Sequence, residues 1–211
     1  MNSDISTYII ICKSYFIRRK NMNKDKLGIF AKIPTLETDR LVMRKMLPRD
    51  AADMFEYASR PEVSEYLLWN PHTTQRFTKN YLHFLQSQYG SKNFYDWAVT
   101  LRSSEKMIGT CGFTSFDLAN NSAEVGYVLS SSYWGQGIAP EALKKVIDFG
   151  FRELELHRIY ARIMDGNTRS ETVAKKCGMT LEATMRDLLF VKGKYRTIKI
   201  YSLLETDHTF L

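Results

Sequence analysis

The stretch SSYWGQGIAPEAL, residues 131–143, constrains this chain more than any other. Gly135 and Gly137 stand one residue apart. Pro140 then opens an apolar-periodic run that sets Leu143, Val146, Ile147 and Gly150 on one side of a helix. Proline costs nothing in a first helical turn, where its missing N–H has no partner to lose. Glycine lets the backbone turn tightly and come close to another group. A bare loop that feeds a helix start is where main-chain N–H groups meet a phosphate.

Three phosphate-binding loops share that outline. A P-loop requires Gly-Lys-Ser/Thr after its glycines; Ile138-Ala139-Pro140 follows Gly137, so that reading fails. A dinucleotide loop requires a third glycine where Pro140 stands. It keeps support from strand 123–129, helix 140–151 and strand 158–164, a βαβ unit, and from Asp165 as a ribose-binding acid. Against it, three antiparallel strands precede the loop, whereas a dinucleotide fold begins with it. The third reading is a coenzyme A cradle. Gly135 to Ala139 would aim successive amides at the diphosphate, and the helix would add its unpaired first-turn donors and the positive end of its dipole. Glu141, in that first turn, then has to point aside.

The remaining pattern sets the fold class. Leu41 to Arg44 reads as a strand, and Pro48-Arg49-Asp50 opens a helix carrying Met54 and Phe55 that stops before Pro61. Thr73 to about Tyr89 reads as a second helix with Phe77, Tyr81, Phe84 and Leu85 on one face. Segments 95–101, 107–116 and 123–129 form an antiparallel meander. Strand 158–164, helix 167–177 (stopped by Gly178) and strands 181–191 and 194–204 around Lys192-Gly193 complete the order βααβββαβαββ. This is an α+β chain: a mixed, mostly antiparallel sheet with helices on both faces, a single domain over residues 35–211.

Net charge is +7, but seven of the thirty Lys/Arg and only two of the twenty-three acids lie in residues 1–34, which leaves the body at +2. A nucleic-acid footprint needs a clustered basic face on the domain itself, so no specific nucleic-acid partner is expected. The apolar run Tyr8 to Cys12 is too short for a membrane span and lacks a signal peptide's order of charges. Residues 1–34 read as a poorly ordered or loosely docked leader, with Met22 as an alternative start. Cys12, Cys111 and Cys177 lack metal spacing and suit buried thiols in a reducing cytoplasm. His72, His83, His157 and His208 show no ligand spacing, so packing or surface roles and no metal are expected.

Five pieces in order resemble the GNAT N-acetyltransferases, in the branch of the ribosomal-protein alanine N-acetyltransferases. They are Glu37-Thr38-Asp39-Arg40-Leu41 with Arg44; Ile108 to Phe113; Ala123-Glu124-Val125-Gly126-Tyr127; Tyr133 to Ala139; and Asn167 through Ser170 to Gly178. The family signature is Arg/Gln-x-x-Gly-x-Gly/Ala; Gly137 and Ala139 match, and Trp134 stands in the first position. The resemblance implies an acetyl-CoA-dependent transfer to an amine. Strands 123–129 and 158–164 would splay. The pantetheine arm would pair near Val128, Leu129 and Ser130, with Asn167 contacting its amides, and the diphosphate would rest on Gln136, Gly137, Ile138 and Ala139 beside Gly135. It also implies Glu124 as the base, directly or through water, where the plain reading is a solvated acid at a strand start. Many members place a tyrosine at the leaving thiolate; here that position is Ala174, and Ser170 is the candidate donor, or simply a first-turn serine. The branch points to a protein N-terminal amine as acceptor. Small amines, and a binding-only domain that kept the cradle, stay open.

Overall fold

The computed structural model describes residues 33–89 and 95–209. The leader expected over residues 1–34, with Met22 and Cys12, lies outside the described residues except for its last two positions. One eight-stranded sheet runs through the structure in the order β1-β2-β3-β4-β5-β6-β8-β7. The strands are β1 Leu36–Glu37, β2 Leu41–Arg44, β3 Tyr95–Leu101, β4 Met107–Asp117, β5 Ser122–Leu129, β6 Arg158–Met164, β7 Thr180–Val191 and β8 Lys194–Leu204. The helices are α1 Ala51–Ala58, α2 Pro61–Ser64, α3 Gln75–Gln88, α4 Ile138–Arg152 and α5 Thr168–Lys176. β1 and α2 are too short to leave a periodic trace, and the sequence reading missed both.

Strand alternation divides the core. Tyr95, Trp97 and Phe113 share the face under α4: the Trp97 and Phe149 rings meet edge-on at 5.6 Å, and Phe113 lies against Gly150. Tyr95 and Trp97 are fully buried. On the opposite face α1 packs against β4 and α3, and Asp53 accepts from the Met107 N–H at 3.0 Å. The buried stripe of α3 is Thr78, Leu82 and Leu85, with Phe77, Tyr81 and Phe84 only half-buried beside it. The sequence pattern favoured the larger rings, but the tertiary fit selects the residues one position on. Arg44 forks onto buried Asp50 at 2.7 and 2.8 Å, and Asp50 also accepts from the Leu47 N–H, closing the turn into α1.

Every strand pair is antiparallel except β5–β6, and that parallel pairing covers only Ser122↔Arg158, Ala123↔Ile159 and Glu124↔Tyr160. Beyond Glu124 the two strands diverge, as the resemblance implied. A doubly wound dinucleotide fold keeps such neighbours paired, so that alternative gives way.

Gly112 is where the sheet tolerates no side chain: a Cβ there would lie 2.1 Å from the Tyr95 carbonyl oxygen and 2.5 Å from the Asp96 Cα. Both are backbone atoms that cannot step aside. Gly112→Ala should therefore cost about 3 kcal/mol and lower the thermal midpoint by roughly 10 °C, measured by calorimetry; a midpoint within 2 °C would refute the fit.

Candidate active site

The loop after β5 makes one 3-10 turn (Ser131–Tyr133) and then uses Gly135 at φ +78° and Gly137 at φ +76° to enter α4. A non-glycine residue at either φ is strained. α4 starts at Ile138, two residues before the expected Pro140, which leaves proline third in the helix and still within the turn that needs no N–H partner. Among the described residues no backbone acceptor meets the amides of Gln136, Gly137, Ile138 or Ala139. The Gln136 side chain turns back to the Ser132 carbonyl at 3.0 Å, so this residue offers only main chain. Nothing lies within 4 Å of a Cβ placed on Gly135. Free amides, a helix dipole and a surface without side chains are what a diphosphate needs, and the residues present fit coenzyme A.

Glu141 does point aside. Thr38 Oγ1 donates to it at 2.5 Å and Arg40 Nε at 2.7 Å, while Arg40 Nη1 donates to the Gln136 carbonyl at 3.0 Å. Burial alone would raise the Glu141 carboxyl, but these hydrogen bonds outweigh it and hold the group below its usual range. The Thr38-Asp39-Arg40 turn between β1 and β2 is thus a latch on the loop, although it lies about a hundred residues away in sequence.

The splay supplies the second half of the site. Ser130 N–H donates to Ile108 O at 2.8 Å, so even-numbered residues at this end of β5 bond to β4 and odd-numbered ones face the open edge. Of Val128, Leu129 and Ser130, only Leu129 presents its main chain to the gap, and its carbonyl accepts from the Trp134 indole at 2.9 Å. The amides of Tyr127 and Leu129 therefore line the edge where β6 has left. Tyr127 crosses the gap: its hydroxyl donates to the Ser170 carbonyl at 2.9 Å, and burial, only partly offset by that bond, raises its pKa. Asn167 caps α5, its side chain accepting from Ser170 N–H at 3.2 Å. Ala174, where the resemblance expects a tyrosine in many members, is fully buried.

Glu124 occupies the root of the splay. Its carboxylate accepts from Arg162 Nε at 2.9 Å and from Ser115 Oγ at 3.4 Å. It is not the solvated acid of the plain reading: its side chain is only 12% exposed. The site is roofed by α2 and the turn after it. Glu62 accepts from Ser131 in the turn after β5, Tyr66 lies beside Gly166 in the turn after β6, and Ser64 O accepts from Lys192 at the tip of the β7–β8 hairpin. No sequence pattern announces these three long-range contacts.

The sequence reading also passed over Asp96. It shares a sheet row with Gly112 and Gly126, on the Glu124 face, and among the described residues its shut-off Oδ1 has no hydrogen-bond partner, like the buried Tyr57 hydroxyl. Burial pushes its carboxyl up to about 7, only partly offset by the Thr110 hydroxyl and the Trp97 amide. An acid inside Tyr95-Asp96-Trp97-Ala98-Val99 was the available signal. Of the two described cysteines, both buried, Cys177 is raised to about 12 by burial and Cys111 well above its usual value. His72 is buried against Thr78, and burial lowers it to about 4. Among the described residues no group of three or more His, Cys, Asp or Glu side chains is gathered to hold a metal, and no helix is long and apolar enough to cross a membrane.

The profile of the acetyltransferase (GNAT) domain matches residues 40–180. The chain is 35% identical over 176 residues to an uncharacterized N-acetyltransferase, p20, of Bacillus licheniformis, covering 82% of this chain and 98% of that protein. Over 98 residues it is 31% identical to the ribosomal-protein-serine acetyltransferase of Escherichia coli, covering 46% of this chain and 55% of that protein. Among solved structures, an acetyltransferase (GNAT family) from Bacillus anthracis superposes with a TM-score of 0.73 at 26% identity, covering 82% and 99% of the two chains.

Two outcomes follow. Arg40→Ala frees Glu141 toward the cradle and should weaken acetyl-CoA binding about ten-fold, a change of about 1.4 kcal/mol. Adding Glu141→Gln should recover most of it by calorimetric titration; a double variant no tighter than the single would show that the latch does not shield the site. For Asp96, the native chain keeps a proton that the unfolded chain releases near pH 3.8, so its contribution to stability is lost as pH rises toward 7. Asp96→Asn should raise the thermal midpoint by a few degrees at pH 8 and leave it unchanged near pH 4.

Proposed function

The chain belongs to the GNAT family of acetyltransferases and is an acetyl-CoA-dependent N-acetyltransferase; from that premise we propose that its acceptor is the N-terminal amine of a protein, of the ribosomal-protein type, in the cytoplasm. The observation that carries this choice is the surface beside the cleft. Phe190 and Tyr195 meet edge-to-face across the β7–β8 hairpin with ring centroids 5.0 Å apart, each 64% exposed, next to the tip that reaches the roof at Ser64. A small amine has no use for an apolar shelf outside the pocket; a protein does. The named activity of the Escherichia coli relative agrees.

The cosubstrate supplies an activated acetyl thioester, which the amine attacks and from which the thiolate departs. The amides of Gln136 to Ala139 hold the diphosphate, with Gly135 leaving room. Asn167 and the open edge at Leu129 guide the pantetheine arm. The N–H groups of Tyr127 and Leu129 stand where charge develops on the carbonyl oxygen. Glu124 takes the amine's proton through water, since Arg162 and Ser115 occupy its near lone pairs. Such assistance suffices for an α-amine, with a pKa of roughly 7.7–8.0, better than for a lysine near about 10.4. Ser170 Oγ donates a hydrogen bond to the departing sulfur; a proton outright would come at too great a cost from an alcohol. Family membership, together with this arrangement, sets turnover above the binding-only alternative.

A thiol-release assay over N-terminal peptides, polyamines and amino sugars should rank the peptides first by kcat/KM; a polyamine in first place overturns the acceptor. Glu124→Gln should lower kcat about 100-fold while acetyl-CoA affinity stays within about two-fold, and an unchanged rate removes Glu124 from the chemistry. Phe190→Ser with Tyr195→Ser should raise KM for the peptide several-fold and leave that for acetyl-CoA alone.

A further inference from the structure

The first position of the family signature carries Arg or Gln, and this chain has Trp134. The structure shows what the indole does there. Its N–H holds the Leu129 carbonyl at the end of β5, and its ring face carries the guanidinium of Arg169, whose Cζ lies 4.3 Å from the ring centroid. Arg169 is the second residue of α5, one before Ser170, and is exposed. Among the described residues it has no ion-pair or hydrogen-bond partner. The sequence reading, which stopped at the missing polar group, did not find it.

We propose that Arg169, held over the face of Trp134, grips the diphosphate of acetyl-CoA and restores from α5 the polar group that the loop itself lacks. The inference rests on the reading that the diphosphate lies on the amides of Gln136 to Ala139. A guanidinium held over a ring face spends no N–H donor on that contact and keeps its fork for phosphate oxygens. The contact also restricts the side chain before the ligand arrives, so less rotamer freedom is lost on binding.

The position argues against a role in stability. A helix N-terminus is the positive end of the dipole, and a cation in the first turn opposes it. Glu171 is the acid of that turn, and it is turned away to Lys199 at 2.9 Å and the Tyr201 hydroxyl at 2.8 Å. Arg169 is left as an uncompensated charge beside a positive dipole, a strain that an anion relieves. Across the loop stands Arg40, half exposed, with one Nη 3.6 Å from a Cβ placed on Gly137. The bare loop thus has a guanidinium near each end: that of Arg40 beside Gly137, fastened to Glu141, and that of Arg169 over Trp134, with no ion-pair partner among the described residues.

Calorimetric titration of coenzyme A, dephospho-coenzyme A and pantetheine into the wild type and Arg169→Ala tests the assignment, with indole fluorescence as a second readout. Arg169→Ala should bind coenzyme A and dephospho-coenzyme A about ten-fold more weakly and pantetheine equally well. Equal weakening for pantetheine would mean a structural role. Weakening for coenzyme A alone would move the contact to the 3′-phosphate; either result overturns the proposal. Trp134→Arg in the Arg169→Ala background should recover affinity by returning the cation to the loop, and Trp134→Phe should keep it by keeping the platform. A wild type that binds no coenzyme A would bring down the cradle reading itself, whatever Arg169 does.

Discussion

The rest of the structure turns on one broken ladder. β5 and β6 begin as parallel neighbours and part company after Glu124, which leaves main-chain donors and acceptors of β5 along an open edge in the middle of a sheet. An unpaired edge in a protein interior is costly unless something completes it. The chain completes part of it internally: Trp134 takes the Leu129 carbonyl, and Tyr127 reaches across to α5. The amides that remain, and those of the loop just beyond, suit an extended polar ligand with an anionic end.

The site's charge pattern follows from the same need. Glu141 is a good residue for a first helical turn and a bad one for an anion site. The latch of Thr38 and Arg40 resolves the conflict by drawing the carboxylate off the loop's far side, at the expense of tying β1–β2 to α4. Arg169 inverts the case: it is unfavourable for the helix and favourable for the ligand. Residues that stabilise their own element and residues that stabilise a bound phosphate are different sets here, and the loop separates them.

The acceptor side is built differently. Its roof is α2, a four-residue helix, with the turn after it; together they are held at three points by groups from the turn after β5, the β6–α5 turn and the last hairpin. A short helix with few apolar anchors opens at low cost compared with the sheet beneath. On the sheet face opposite the Trp97–Phe149 pair, Asp96 Oδ1 and the Tyr57 hydroxyl are buried with no hydrogen-bond partner among the described residues.

Sequence by itself determined the elements and the cradle. Alternation in 95–101, 107–116 and 123–129, the glycine pair before Pro140, and Asn167 ahead of Ser170 each act within a few residues, so local pattern reveals them. Even the demand that Glu141 turn aside followed from its place in a first turn. What turns it aside did not, because Arg40 lies 101 positions away and only the folding of β1 beside α4 brings them together. The same holds for Arg162 on Glu124, for Arg169 on Trp134 and for Lys192 on the roof: each pairs residues whose separation along the chain carries no periodic signal. Local geometry is written in neighbouring residues, whereas the partner of a charge is chosen by whichever strand or helix the sheet order sets beside it.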